Sequence, residues 1–203
     1  MGLCRAKWAT SLLGAALNGC FSGREVTYLQ LSYPYPEGAC NIIANAFLNS
    51  SAHEMFLMDI DIVFTPQDVN WLFEHDAPYV GGVVPKRCLG LHIAVFNHEP
   101  FAEDPHAEGV NPLVDASCGR GFVRIHRSVF ESLKDKVPTY IADQETNGMG
   151  EKRYEFFRSK PGGHSEDFSF CELYRSHGGK TYVDQRVVLK HEGAIVYPVK
   201  GTY

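Results

Sequence analysis

With 203 residues, of which 44% are hydrophobic, 12% aromatic and 21% charged, the chain can bury the core of one ordinary domain. A formal charge of −5 and a pI near 6.0 exclude a surface built for strong, non-specific attraction to nucleic acid or anionic membrane, though not a local basic groove. No apolar run approaches the roughly 20 residues of a membrane-spanning helix.

The opening stretch MGLCRAKWATSLLGAALNGC carries two early cations, then apolar and small residues. We read it as a helix over about residues 6–18, ended by Asn18-Gly19 and feeding a strand at EVTYLQLSY (25–33). A secretory or lipoprotein signal is the alternative; N-myristoylation is excluded, because Ala6 stands where Ser or Thr is required. After a turn at PYPEGA, CNIIANAFLNSSA has the spacing of a helix closed by Asn49, Ser50 and Ser51. HEMFLMDIDIVFTPQDV then reads as a buried strand that carries Asp59 and Asp61. Thr65 is the expected N-cap of the next helix, with Pro66 at its first position and Asp68 in its first turn. APYVGGVVPKR is another short buried strand. This alternation predicts an α/β fold with a mainly parallel sheet.

Beyond residue 87 the pattern changes. Residues 88–118 read as a strand or two among long loops, and CGRGFVRIHRSVFESLKDK as a glycine turn, a strand over Phe122–His126 and a helix from Ser128. Residues 137–163, with Gly148, Gly150, Gly162 and Gly163, read as a mobile loop flanking the strand RYEFF. SEDFSFCELYRSHGG has helix signals at both ends, Ser165 as N-cap and Gly178 past the end. KTYVDQRVVLKHEG is the last strand. The cysteines (Cys4, Cys20, Cys40, Cys88, Cys118 and Cys171) are scattered with no C-x-x-C pair. Buried thiols in a reducing cytoplasm are therefore expected, rather than a zinc knuckle or a disulfide framework.

Three charged clusters stand out: Asp59-x-Asp61, Glu166-Asp167 and His191-Glu192-Gly193. Glu166 and Asp167 have an ordinary use as first-turn anions, and His191 as a surface or half-buried histidine. Asp59 and Asp61 are harder to set aside, because carboxylates in an apolar run need an offset for their lost hydration. Carboxylates with one imidazole suit Mg²⁺ or Mn²⁺, the imidazole favouring Mn²⁺. Open α/β sheets bind ligands beyond the carboxyl ends of their strands, where both aspartates would emerge.

In order, GACNIIANAFLNSSAHEMFLMDIDIVFTPQDV, YVGGVVPKR, CGRGFVRIHRSVFESL, SEDFSFCELYRSHGGKTYVD and LKHEG resemble segments of GT-A fold glycosyltransferases of the family-two-like group, which has many viral and bacterial members. The resemblance implies a single GT-A domain over 1–203, with about 1–87 as the nucleotide-sugar and metal half and 88–203 as the acceptor half. It implies that Asp61 and His191 hold Mn²⁺ or Mg²⁺, and that Asp59 meets the metal through water or the ribose hydroxyls. Asp167 would be the base that takes the acceptor proton, oriented by Glu166. Asn41 and Lys86 would approach the nucleotide and phosphates, Gly119, Arg120 and Gly121 would shape the acceptor side, and the loop over 145–163 would close on the donor. The donor would be a UDP- or GDP-sugar, and the acceptor a glycan, protein, lipid-linked sugar or modified DNA base.

Relatives begin with a strand that floors the nucleotide site, whereas here a helix starts near Met1, so the fold is expected without that strand or the chain is truncated. The Arg usual before the matched Asn is Cys40 here. A nucleotidyltransferase and a non-catalytic nucleotide-sugar-binding module are the competing functions.

Overall fold

The computed structural model describes residues 6–86, 92–143, 149–160 and 164–192. In chain order the elements are α1 (Ala6–Leu17), α2 (Pro36–Leu48), β1 (Glu54–Met58), β2 (Ile62–Val63), α3 (Pro66–Phe73), β3 (Tyr79–Val83), β4 (Val95–Asn97) and β5 (Leu113–Cys118). There follow β6 (Phe122–His126), α4 (Arg127–Leu133), β7 (Thr139–Ile141), β8 (Lys152–Tyr154), α5 (Glu166–Ser176), β9 (Tyr182–Val188) and β10 (Lys190–His191). The described residues of Tyr28–Met55 and His126–Gly179 form one compact unit, and those of Leu3–Thr27, Phe56–Ile125 and Lys180–Tyr203 a second. Cys4, Cys88, Gly148, Gly162, Gly163 and Gly193 lie outside the described residues, as do both ends (145–148 and 161–163) of the loop expected to close on the donor.

Local chemistry explains the helix ends. In α1 the side chains of Trp8, Ser11 and Ala15 are buried on one face. The helix stops where Gly19 takes a positive φ of 75° and the Cys20 N–H returns to the Ala15 carbonyl at 3.1 Å. Thr65 and Asp68 form the full capping box of α3, with Pro66 at its first position. Ser165 does sit at the N-cap of α5, but its hydroxyl donates to Asp167 and makes no capping bond.

One expected strand is absent. Residues 25–33 form no strand, and Val26, Tyr28 and Leu29 are 59%, 58% and 51% exposed. Their alternation suits a pleated surface, but a strand exists only where a partner supplies the ladder, and no described strand pairs here.

The second unit carries a six-stranded sheet in the order β1-β6-β3-β9-β5-β4. The expectation of a mainly parallel sheet is corrected: the sheet is mixed. β3 and β9 run parallel (Val80↔Tyr182, Gly81↔Val183), whereas β6 on β3, β5 on β9 and β4 on β5 are antiparallel. Strand–helix alternation holds only as far as β3. Afterwards β4, β5 and β6 follow one another without the helical crossover that parallel neighbours need. The core of this unit is built from Ile62, Phe64, Val69, Leu72, Val80, Phe122, Val187 and Leu189, with Trp8 and Ala15 of α1. Burying each large side chain is worth about 1.5–3 kcal/mol.

In the first unit Phe130 of α4 lies among the rings of Phe47, Phe156 and Phe170, at 5.8, 5.2 and 5.4 Å between centroids. Asn41 and Asn45, one turn apart on α2, grip the chain opposite as a strand would. The Asn41 amide donates to the Phe157 carbonyl (2.8 Å) and accepts from its N–H (2.9 Å), and Asn45 does the same with Tyr154 at 2.8 and 2.9 Å. The Arg127 guanidinium donates to the carbonyls of Phe47, Leu48, Ser50 and Ala52 and so caps the end of α2.

Candidate functional site

The apolar run around the aspartates does not continue as one strand. β1 stops at Met58, the Ile62 N–H closes a turn onto the Asp59 carbonyl at 3.1 Å, and β2 resumes at Ile62. The carboxylates therefore leave a turn, not one face of a regular strand, and they meet different partners. Arg120 Nη1 donates to Asp59 Oδ1 at 2.6 Å, while the Asp59 N–H donates to the Gly121 carbonyl at 2.9 Å. The charge of Asp59 is thus offset by a guanidinium. Behind this turn the Phe122 ring packs on Phe56 and Phe64, with centroids 4.9 and 5.0 Å away, which fixes its base.

Asp61 is 4% exposed, and its Oδ1 lies 3.9 Å from His191 Nε2. Pairing of β10 with β2 sets that meeting: His191 stands opposite Ile62, and the Glu192 N–H donates to the Asp61 carbonyl at 2.6 Å. His191 Nδ1 is 2.5 Å from the Pro85 carbonyl. A carbonyl only accepts, so Nδ1 carries a proton, and that bond orients the ring with Nε2 toward Asp61. A backbone carbonyl on the far ring nitrogen is the usual orienting partner of a metal-binding histidine.

The donor set can be tested for fit. Two ligands about 2.1 Å from one cation are separated by at most about 4.2 Å and by about 3.0 Å when they are cis in an octahedron, so at 3.9 Å the pair is within reach of a shared divalent ion after a small closure. The same distance is too long for a direct hydrogen bond. Among the described residues no group of three or more His, Cys, Asp or Glu side chains is placed to hold a metal ion by itself. A cation here would draw further ligands from water or from phosphate oxygens, as Mg²⁺ sites commonly do.

The other expected site residues divide between the units. Lys86 follows Pro85 directly; its N–H donates to the His92 carbonyl at 2.7 Å and it is exposed. The Gly119 N–H donates to the Ala94 carbonyl at 2.9 Å. A Cβ on Gly121 would touch Ile62 at 3.5 Å and Asp59 Oδ2 at 3.6 Å, ordinary contacts, so space alone does not demand glycine there. Asp59, Asp61, Arg120, Gly121 and His191 therefore form one connected set in the second unit. Asn41, Glu166 and Asp167 belong to the first. The Asn41 amide is occupied at both ends by Phe157, Glu166 is buried at 9% exposure, and Asp167 Oδ1 accepts from the Ser165 hydroxyl and from the Phe168 N–H at 2.7 Å.

A second charged cluster escapes the sequence reading. Asp184 of β9 is fully buried, takes a 2.8 Å hydrogen bond from His75 Nε2, and is gripped by the Arg186 guanidinium at 2.6 and 3.0 Å. Arg186 also reaches Glu74 at 3.1 Å and lies over the Trp71 ring. Burial pushes the Asp184 carboxyl up, but the bonds from His75 and Arg186 outweigh it and hold the group below its ordinary value. Asp-x-Arg on alternate strand positions was the available signal. The histidine, far away in sequence, was not.

The fold is therefore a mixed α/β arrangement whose second unit brings a carboxylate and an oriented imidazole to one point. The solved structure of A197 from STIV is similar to this chain, with a TM-score of 0.57 over 98% of this chain and 90% of that one. The two sequences are 18% identical, so the likeness speaks for the fold alone. No protein-family profile matches the chain, and no curated protein does.

Proposed function

We propose that the chain is a metal-dependent glycosyltransferase of the GT-A fold, acting in the cytoplasm on a UDP- or GDP-sugar. The observation that carries this reading is Asp61 Oδ1 facing His191 Nε2 at 3.9 Å, with the imidazole oriented by the Pro85 carbonyl. Asp61 and His191 are the residues that would hold Mn²⁺ or Mg²⁺. When bound, such an ion neutralises the diphosphate leaving group. Asp59 orients toward the same ligand, and Asp167 takes the proton from the acceptor hydroxyl. Calorimetry tests the reading: UDP or GDP should bind in Mn²⁺ and lose at least tenfold in affinity in EDTA. Equal affinity in the two conditions would remove the metal role.

The engagement of Asp167 by Ser165 and Phe168 favours a second reading, a binding module that takes up nucleotide-sugar without turnover. Sugar transfer by the wild type separates them, since a binding module shows none; where transfer occurs, Asp167→Asn tests the base, because Asn keeps an acceptor oxygen but cannot take up the proton. If Asp167 is the base, the variant melts and binds nucleotide like the wild type while transfer falls about a hundredfold or more. Transfer at the wild-type rate would leave Asp167 as a helix-start anion only.

A further inference from the structure

Arg120 lies at the junction of the two turns that build the site. Its guanidinium holds Asp59 Oδ1 at 2.6 Å, and the next residue, Gly121, accepts the Asp59 N–H. Ile62, which a Cβ on Gly121 would touch at 3.5 Å, is the register partner of His191. The guanidinium is thus tied to the turn that also carries Asp61. A conventional ion pair explains Asp59, but the charge balance changes once an anionic ligand arrives. Two aspartates, a divalent cation and a diphosphate dianion sum to net negative charge, and Arg120 is the cation already in contact with this turn. The pair is also not deeply buried: the Arg120 and Asp59 side chains are 20% and 31% exposed. Such a partly solvated pair opens at small cost, and a guanidinium fork matches phosphate oxygens at least as well as a carboxylate.

Resting on the function proposed above, we propose that Arg120 is a diphosphate-binding residue that works as a latch. In the ligand-free site it neutralises Asp59. When a metal-bound nucleoside diphosphate enters, it moves to the phosphate oxygens and leaves Asp59 to accept from hydroxyls of the same ligand. No bond is made or broken; one ion pair replaces another. The sequence resemblance put Arg120 on the acceptor side, so the latch moves it to the donor.

Inorganic pyrophosphate with Mn²⁺ is the discriminating probe, because it offers phosphate but no hydroxyl for Asp59. By calorimetry, R120Q should weaken pyrophosphate and UDP or GDP binding at least tenfold, the scale of one charge-assisted hydrogen bond. D59N should bind pyrophosphate more tightly than the wild type, since it removes a negative charge and releases the guanidinium from Asp59, and the same substitution should gain less in the R120Q background, where only the charge effect remains. A fixed brace predicts the opposite for D59N, a loss as the turn loosens, and that result would overturn the latch. So would R120Q binding pyrophosphate within twofold of wild type. If R120Q melts early, D59N decides alone: tighter binding supports the latch and weaker binding overturns it. Wild-type protein that binds neither pyrophosphate nor nucleoside diphosphate in Mn²⁺ overturns the function and the latch together. Metal-dependent wild-type binding with unaltered variants overturns the latch only.

Discussion

Asp184→Ala is expected to destabilise the fold by about 3–5 kcal/mol, the usual cost of removing one member of a buried ion pair. The residue is fully buried, and its removal would strand the Arg186 guanidinium and the His75 ring that it holds. Urea unfolding at neutral pH, with the midpoint and slope compared to wild type, measures the effect. The pH dependence has a definite sign. A carboxyl held below its unfolded value near 3.9 contributes stability that is complete above that value and is lost as pH falls through the folded one. Wild type should therefore lose this contribution only below about pH 4, and Asp184→Asn should show a flatter stability profile there. A loss under 1 kcal/mol for Asp184→Ala would mean that the neighbours relax and rehydrate, and that the cluster is not a strut.

Asp61→Ala and His191→Ala should each abolish metal-dependent nucleotide binding, a loss beyond the 10–100-fold typical of residues that merely orient a ligand. Each supplies one of the two facing donor atoms, so a cation would be left with a single protein ligand. Thermal melting provides the readout: Mn²⁺ with UDP or GDP should raise the wild-type midpoint, because a ligand of the folded state alone shifts the equilibrium toward it. Neither variant should respond, while circular dichroism shows both folded. A variant that responds like wild type would show that its residue is not a metal ligand.

The sequence carried the local signals well, since they depend on residues a few positions apart. Thr65, Pro66 and Asp68 were sufficient to place the start of α3, and Asn18-Gly19 to place the end of α1. Asp59 and Asp61 were recognised as an anomaly because each is expensive in an apolar run whatever surrounds it. What surrounds them was not legible. Arg120 lies 61 positions from Asp59, and nothing near either residue announces the pair. The partner of Asn41, a residue that the resemblance turned toward the nucleotide, was hidden for a similar reason. An Asn in an apolar helix signals a buried polar partner, but the partner of Asn41 is backbone 116 positions away. The mixed sheet follows the same logic, since strand direction is decided by neighbours and not by composition.

The β10–β2 pairing also sets an order in time. Pro85 and His191 are 106 positions apart, so the imidazole joins its carbonyl only after the whole intervening sheet has been synthesised. Closing so long a loop is entropically slow, and local elements form well before it. A nascent chain halted just short of Lys190 would already possess every strand of the six-stranded sheet and yet lack the histidine. The meeting of His191 with Asp61 and the Pro85 carbonyl should therefore follow formation of the sheet that supports both partners.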